Sequence, residues 1–245
     1  MSKASDDEQG ERIAKFLARA GIASRRDAER LIEQGLVAVD GATLTSPAFR
    51  LPPGARVTVN GAVIGAPAPT RLWRYHKPRG LVTSHRDERG RPTVFDNLPR
   101  GLPRVVSIGR LDINSEGLLL LTNDGALARR LELPSTGWLR HYRVRVFGTP
   151  DAQELARLAE GITVDGVHYR GLDIAIDRVQ GGNAWLDVGL REGKNREIKR
   201  VLEALHLKVN RLIRTSYGPF TLGKLAPGAA ETVPARMLAE VIAAR

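Results

Sequence analysis

Four consecutive leucines, Leu118-Leu119-Leu120-Leu121, constrain the fold of this chain more than any other stretch. A segment with one wet face alternates apolar and polar side chains. An unbroken apolar run offers no face to water, so it belongs to a central strand or a buried helical turn. Thr122-Asn123-Asp124-Gly125 turns the chain directly afterwards, which favours the strand. Just before the leucines lies Gly109-Arg110-Leu111-Asp112-Ile113-Asn114-Ser115-Glu116-Gly117. One carboxylate, Asp112, is thus held beside a guanidinium, between glycines, at the edge of a rigid element where a reactive side chain can be positioned.

Helices and hairpins are mixed around that strand. Leu72-Trp73-Arg74-Tyr75 reads as a strand ending in a tight turn at Lys77-Pro78-Arg79-Gly80. Leu81-Val82-Thr83 is expected to continue the sheet, Val105-Val106-Ser107 to approach the Asp112 loop, and Ala126 to Leu131 to form a short helix. From His141 to Phe147 the pattern alternates: Tyr142, Val144 and Val146 share one face, His141, Arg143 and Arg145 the other. Thr149 as N-cap with Pro150 in the first position predicts a helix carrying Leu155 and Leu158. A hairpin around Asp165-Gly166 holds Val164, Val167 and Tyr169; residues 172–176 and 185–190 are further strands. Glu197 to Leu205 is a helix with Ile198, Val201, Leu202 and Leu205 as its apolar stripe. The order predicts an α+β domain with a mostly antiparallel mixed sheet.

The first 64 residues read as a smaller unit. Residues 1 to 9 are polar and expected to be disordered. Ile13, Phe16, Leu17 and Ala20 share a helical face that Gly21 ends. Ser24 with Asp27 three residues on is a capping box for a second helix running to Gln34, with Ala28, Leu31 and Ile32 inward. Val37 and Val39 begin a strand that turns at Asp40-Gly41, and Arg56 to Ile64 holds a hairpin turning at Asn60-Gly61. Gly65-Ala66-Pro67-Ala68-Pro69-Thr70 then has the composition of a linker.

Formal net charge is +11, which favours a polyanionic partner. The excess is local: residues 1–60 hold 9 basic and 8 acidic side chains, residues 71–110 hold 10 and 3, and residues 191–224 hold 9 and 3, so the two basic blocks flank the Asp112 loop in sequence. There is no cysteine, which excludes disulfides and thiolate chemistry. No apolar run is long enough for a membrane span and no signal peptide is evident, so a soluble, cytoplasmic protein with no membrane partner is expected; no surplus amphipathic helix demands a partner, which makes a monomer the default. Five dispersed histidines suggest no metal cluster, and no dinucleotide or phosphate-binding glycine loop is present; no metal and no cofactor are expected.

The run Ile22 to Gly35, followed by Val37, Val39, Asp40 and Gly41, resembles the S4 RNA-binding domain. Arg25, Arg26 and Arg30 in the second helix and Arg19 at the end of the first suit phosphate oxygens. The Asp112 loop closely resembles the signature of the RNA pseudouridine synthases, in the branch whose ribosomal RNA enzymes carry an N-terminal S4 domain. Lys77-Pro78-Arg79-Gly80, the Tyr142 strand and Glu192-Gly193-Lys194-Asn195-Arg196-Glu197-Ile198-Lys199-Arg200 support it, and the resemblance spans roughly residues 10 to 235. It implies an S4-like domain at 10–64, a linker at 65–70 and a pseudouridine synthase catalytic domain at 71–240. It also implies isomerisation of a uridine in ribosomal RNA or a precursor ribosomal particle, 23S RNA of the large subunit ahead of 16S RNA. The family's aspartate, tyrosine and basic partner carry over to Asp112, Tyr142 and Lys199. Related branches carry glutamine where this chain has Glu197.

The chemistry wants these residue types independently. Breaking a nucleoside C1′–N1 bond builds positive character at the sugar, which an ionised aspartate can stabilise, capture as an adduct, or relieve by removing a ribose proton. A cation such as Lys199 offsets the cost of burying that charge. The Tyr142 ring can stack on uracil. Lys77, Arg110, Lys194, Arg196 and Arg200 join the S4-like arginines as expected RNA contacts, and Glu116 is expected to anchor the loop. Two other classes stay open on the residues alone: a non-catalytic ribosome-assembly protein that binds RNA, and a nucleoside or glycoside hydrolase using Asp112 and Glu116.

Overall fold

A computed structural model describes residues 10–133 and 136–243. The expectation for residues 1 to 9 lies outside them. The chain divides into two compact units, one running up to Thr70 together with Asn123–Gly125, the other comprising Arg71–Thr122 and the residues from Ala126 onward.

The first unit holds β1 (Glu11–Arg12), α1 (Ile13–Arg19), α2 (Arg25–Glu33), β2 (Val37–Val39), β3 (Ala42–Thr43), β4 (Arg50–Leu51), β5 (Val57–Val59) and β6 (Ala62–Val63). β1 pairs with β4, and the other strands form a sheet in the order β3-β2-β5-β6. Ser24 caps α2: the Asp27 amide donates to its hydroxyl at 3.1 Å, and the hydroxyl donates to the Asp27 carboxylate at 2.6 Å. Both hairpins turn as anticipated, with left-handed backbone at Asp40-Gly41 (φ 49° and 86°) and Asn60-Gly61 (φ 50° and 77°), the geometry that lets a two-residue turn follow the twist of its strands. Ile13, Leu17, Ala28, Ile32, Val37 and Val57 are buried between the helices and this sheet.

The second unit contains β7 (Leu72–Lys77), β8 (Val106–Ile108), β9 (Glu116–Thr122), α3 (Gly125–Glu132, in this unit from Ala126 onward), β10 (Arg140–Phe147), α4 (Ala152–Arg157), β11 (Ile162–Val164) and β12 (Val167–Tyr169). It continues with β13 (Asp173–Gln180), β14 (Asn183–Leu190), α5 (Glu197–Ala204), β15 (Lys208–Tyr217), β16 (Phe220–Thr221), β17 (Ala230–Thr232) and α6 (Ala235–Ala243). Its described residues build a nine-stranded sheet in the order β13-β14-β10-β15-β9-β7-β17, with β8 added to β9 and β16 to β15. Every strand pairing described in that sheet is antiparallel except β15 with β9, so the class is α+β as the sequence predicts.

The leucine run lies in β9, a strand of this sheet that is buried on both faces. Leu119 and Leu121 join Tyr75, Tyr142, Val144 and the α5 residues Ile198 and Val201. Leu118 and Leu120 point the other way, into a cluster with Leu127 and Leu131 of α3 and Leu238 and Val241 of α6. All four are fully buried, each worth roughly 1.5–3 kcal/mol of transfer free energy.

Three details depart from the sequence reading. Leu81–Thr83 does not extend the sheet; Val82 makes a single parallel bridge to Thr93, its amide donating to the Pro92 carbonyl at 3.0 Å and its carbonyl accepting from the Val94 amide at 2.9 Å. The cap of α4 is Asp151 rather than Thr149: its carboxylate accepts from the Gln153 and Glu154 amides at 2.7 and 3.0 Å, and an anion suits a helix N-terminus better than a hydroxyl. The ten-residue β15, which no periodicity announced, crosses the middle of the sheet. No helix among the described residues is long and apolar enough to cross a membrane.

β8 and β15 share one edge of β9, β8 along Leu120–Thr122 and β15 along Glu116–Gly117. Gly117 makes the second junction possible. Its φ is +105°, and a methyl there would overlap the Arg214 carbonyl oxygen and sit 2.7 Å from the Arg214 nitrogen. Gly117→Ala is expected to destabilise the unit by at least about 3 kcal/mol, from backbone strain plus loss of the close approach. Urea titration measures it, and a loss below about 1 kcal/mol would show that β15 shifts freely.

Candidate active site

The loop from Gly109 to Ser115 joins β8 to β9 and is tied down from several directions. Lys77, at the end of β7, is fully buried, and its ammonium donates to the carbonyls of Pro78, Asp112 and Ser115 at 3.0, 3.2 and 2.8 Å. Burial lowers this lysine from the ordinary value of 10.5 to about 8, with Asp112 and Glu116 opposing the drop. The Thr83 hydroxyl donates to the Leu111 carbonyl at 2.8 Å. The Gly109 amide donates to the Glu132 carboxylate at 2.6 Å, and the Ser115 amide closes a turn onto the Asp112 carbonyl at 2.9 Å. Glu116, 8 % exposed, forms an ion pair with Arg211 and so anchors the start of β9 as anticipated.

This scaffold presents the Asp112 side chain, about one third exposed, to the first turns of α5. The Lys199 ammonium lies 3.1 Å from its Oδ2, and that lysine side chain is only 10 % exposed. Eighty-seven residues separate the two in sequence. Lys199 comes to this spot because Ile198, Val201 and Leu202 bury the apolar stripe of α5 against the sheet. Tyr142 projects from the same face, in the apolar cluster that also takes in Leu111 and Ile198. It stands opposite Arg214 of β15, which stands opposite Gly117, so Tyr142 shares a cross-strand row with the start of β9, two residues past the Asp112 loop.

The expected RNA contacts separate into groups. Arg110, on the loop itself, and Arg196, at the left-handed residue preceding α5, are exposed, and Arg200 is half-buried. Lys194 is exposed but donates to the His168 carbonyl and pairs with Glu192 at 2.9 Å. On the first unit Arg25 and Arg26 are exposed in the first turn of α2, while Arg19 pairs with Glu11 and Arg30 with Asp27. Lys77 is a correction: a fully buried ammonium saturated by backbone carbonyls organises the loop and does not reach a phosphate. Thr83, Gly80 and Glu132 also hold the loop and were not anticipated; their partners lie 23 to 33 residues away, beyond any local pattern.

Glu197 opens α5 and is 4 % exposed; one carboxyl oxygen accepts from the Lys194 amide at 2.9 Å, and the other is buried without a hydrogen-bond partner. Burial pushes it up to about 7, with Glu192 adding to the rise and the Lys194 N–H opposing it. Between about 4.5 and 7 the folded chain therefore holds this proton more tightly than the unfolded chain. The stabilisation is complete below that range and disappears as pH rises through 7. Glu197→Gln is expected to raise stability at pH 8 by on the order of 1 kcal/mol, and by less at pH 5. Urea unfolding at both pH values checks it; an equal or larger gain at pH 5 would contradict the assignment.

A carboxylate with a paired ammonium at the mouth of a sheet, flanked by basic side chains, suits chemistry on a cationic sugar centre within a polyanion. Residues 71–204 match the RNA pseudouridylate synthase family, and residues 11–57 match the S4 domain. The chain belongs to the RNA pseudouridylate synthase family, and its activity is the isomerisation of uridine to pseudouridine in RNA. It is 49% identical over 228 residues to an RNA pseudouridine synthase of Rickettsia felis, covering 93% of this chain and 99% of that protein. It is 42% identical over 224 residues to the ribosomal large subunit pseudouridine synthase B of Salmonella typhimurium, covering 89% and 77%. A crystal structure of a pseudouridylate synthase shares the fold, with a TM-score of 0.65 over 95% of this chain and 100% of that one at 24% identity.

Proposed function

We propose that this enzyme isomerises a uridine of 23S ribosomal RNA, free or within a precursor particle of the large subunit, and that Asp112, Lys199 and Tyr142 act on the extruded nucleotide. The ion pair between Asp112 and Lys199, formed across 87 residues of sequence, carries the assignment of the reacting centre. The 42% identity to a large-subunit enzyme supports the choice of RNA.

Asp112 engages the ribose as the N1–C1′ bond breaks. The freed uracil turns within the site, C5 bonds to C1′, and the C5 proton is lost while N1 gains one; no water is consumed. Lys199 compensates and orients the carboxylate, and the Tyr142 ring supports the base. Extruding a stacked uridine costs a few kcal/mol, which phosphate contacts offset. Arg110, Arg196, Arg200 and Lys194 supply them near the loop, and Arg19, Arg25, Arg26 and Arg30 supply them on the first unit. In this reading residues 10–64 grip RNA, residues 65–70 link, and residues 71–240 catalyse, in a cytoplasmic monomer.

Pseudouridine mapping of ribosomal RNA from cells lacking the protein tests the proposal. One 23S site is expected to vanish, to return with the wild-type chain, and to stay absent with Asp112→Asn. A missing 16S site would move the substrate to the small subunit, and an unchanged ribosomal map would overturn the reading.

A further inference from the structure

The half of the large sheet built by β13, β14, β10 and β15 is covered unequally. One face packs under α4 and α5. The apolar cluster beneath α3 and α6 takes nothing from β10, β13 or β14, and the side chains that these strands turn to that side are exposed or half-exposed. Their cross-strand rows are unusual in composition. Arg178 and Arg145 both stand opposite Trp185, and Arg145 also stands opposite Arg211. In the next row Phe147, 57 % exposed, stands opposite Lys208.

Like charges directly across a ladder destabilise a sheet, so a row with three arginines and no acid has a cost that an external anion relieves. Part of the charge is met internally: Arg211 pairs with Glu116, and Arg143, lying 5.1 Å over the Trp185 ring, pairs with Asp177. Arg145, Arg178 and Lys208 are exposed and pair with no described carboxylate. Guanidinium forks match phosphate oxygens, and an exposed ring beside them offers a stacking partner to any base without demanding a sequence. This face lies behind the one that carries Tyr142, so it does not belong to the reacting cleft.

We infer that the open face of β13-β14-β10-β15 binds a second stretch of the substrate RNA, with Arg145, Arg178 and Lys208 on phosphates and Phe147 against an unpaired base. It makes the enzyme a two-sided RNA clamp that distinguishes a long structured RNA from an isolated stem–loop. The inference rests on RNA as the substrate class, which family membership supplies, and not on which RNA is modified.

The test uses the full chain carrying R145A, R178A and K208A together, none of them at the reacting centre. Its binding to a 23S RNA transcript is titrated against salt. Turnover is compared on that transcript and on a short stem–loop holding the modified uridine. The slope of log affinity against log salt is expected to fall by about 2 to 3, at 0.7–0.9 per phosphate lost. KM on the transcript should rise about tenfold with kcat unchanged, and both constants on the stem–loop should stay as in wild type. The charge-retaining R145K/R178K/K208R chain should recover most of the loss. An unchanged slope and KM on the transcript would overturn the inference. So would an equal loss on both RNAs, which would signify damage to the cleft. Weaker docking on precursor particles with unchanged binding to naked transcript would assign the face to a protein instead. If wild type isomerises no ribosomal RNA, the substrate assignment above fails while the salt slope still decides this surface.

Discussion

Asp112→Asn is expected to lower the single-turnover rate of pseudouridine formation by at least about a thousandfold while leaving affinity for RNA intact. The amide is isosteric with the carboxylate, and the backbone carbonyl of residue 112 keeps its bonds from Lys77 and from the Ser115 amide. The loop should therefore hold its shape, so the loss reports on charge and nucleophilicity. An amide neither bonds covalently to an electron-poor C1′ nor balances the positive charge that grows there. Lys199 would keep its place on α5 but face a neutral group at 3.1 Å. The neighbouring carboxylate offers no rescue: Glu116 is 8 % exposed and taken by Arg211. Rapid-quench assays with filter binding in parallel measure both quantities. A rate within about tenfold of wild type would remove Asp112 from the reacting centre, and a matching loss of RNA affinity would make it a binding residue.

What could be read in advance follows physical lines. The leucine strand was legible because a run with no wet face has few places to go, and the structure puts its alternate residues into two different cores. The two glycine hairpins and the Ser24 cap were legible because each depends on residues within four positions of one another. The Tyr142 strand was legible from its clean alternation. β15 was hidden by composition: Lys208, Asn210, Arg211 and Arg214 interrupt its apolar residues, the buried Arg214 takes a position that periodicity reserves for a hydrophobe, and the ladder to β10 slips twice. The support of the Asp112 loop was hidden for a different reason. A lysine in a Pro-Gly turn reads as solvent-exposed, and only the tertiary fold shows that Lys77 meets carbonyls 35 and 38 residues downstream. Motif resemblance supplied the identity of the site residues, whereas the forces that hold them are non-local.

Lys77→Met should therefore have an effect that a surface lysine would not. Methionine matches the length of the lysine stem but donates nothing, leaving the Pro78, Asp112 and Ser115 carbonyls without the ammonium they share. An orphaned buried acceptor costs about 1–3 kcal/mol, and relief of the ammonium's own desolvation returns part of that, so a net destabilisation of about 3 kcal/mol is expected at pH 7. Activity should fall further than stability alone dictates, because two of those carbonyls belong to the Asp112 loop, and a misplacement of about 1 Å at a reacting group costs about a hundredfold. The pH dependence separates this from a general packing defect. Folded Lys77 releases its proton near pH 8, while the unfolded chain keeps it to about 10.5, so between those values the unfolded state holds more protons. This residue's contribution to stability is thus flat below pH 8 and grows as pH rises toward 10.5. The gap between wild type and Lys77→Met, measured by urea titration at pH 7, 8.5 and 10, should widen across the series. A gap that narrows would mean that the carbonyl cluster outweighs desolvation and favours the ammonium form in the folded chain.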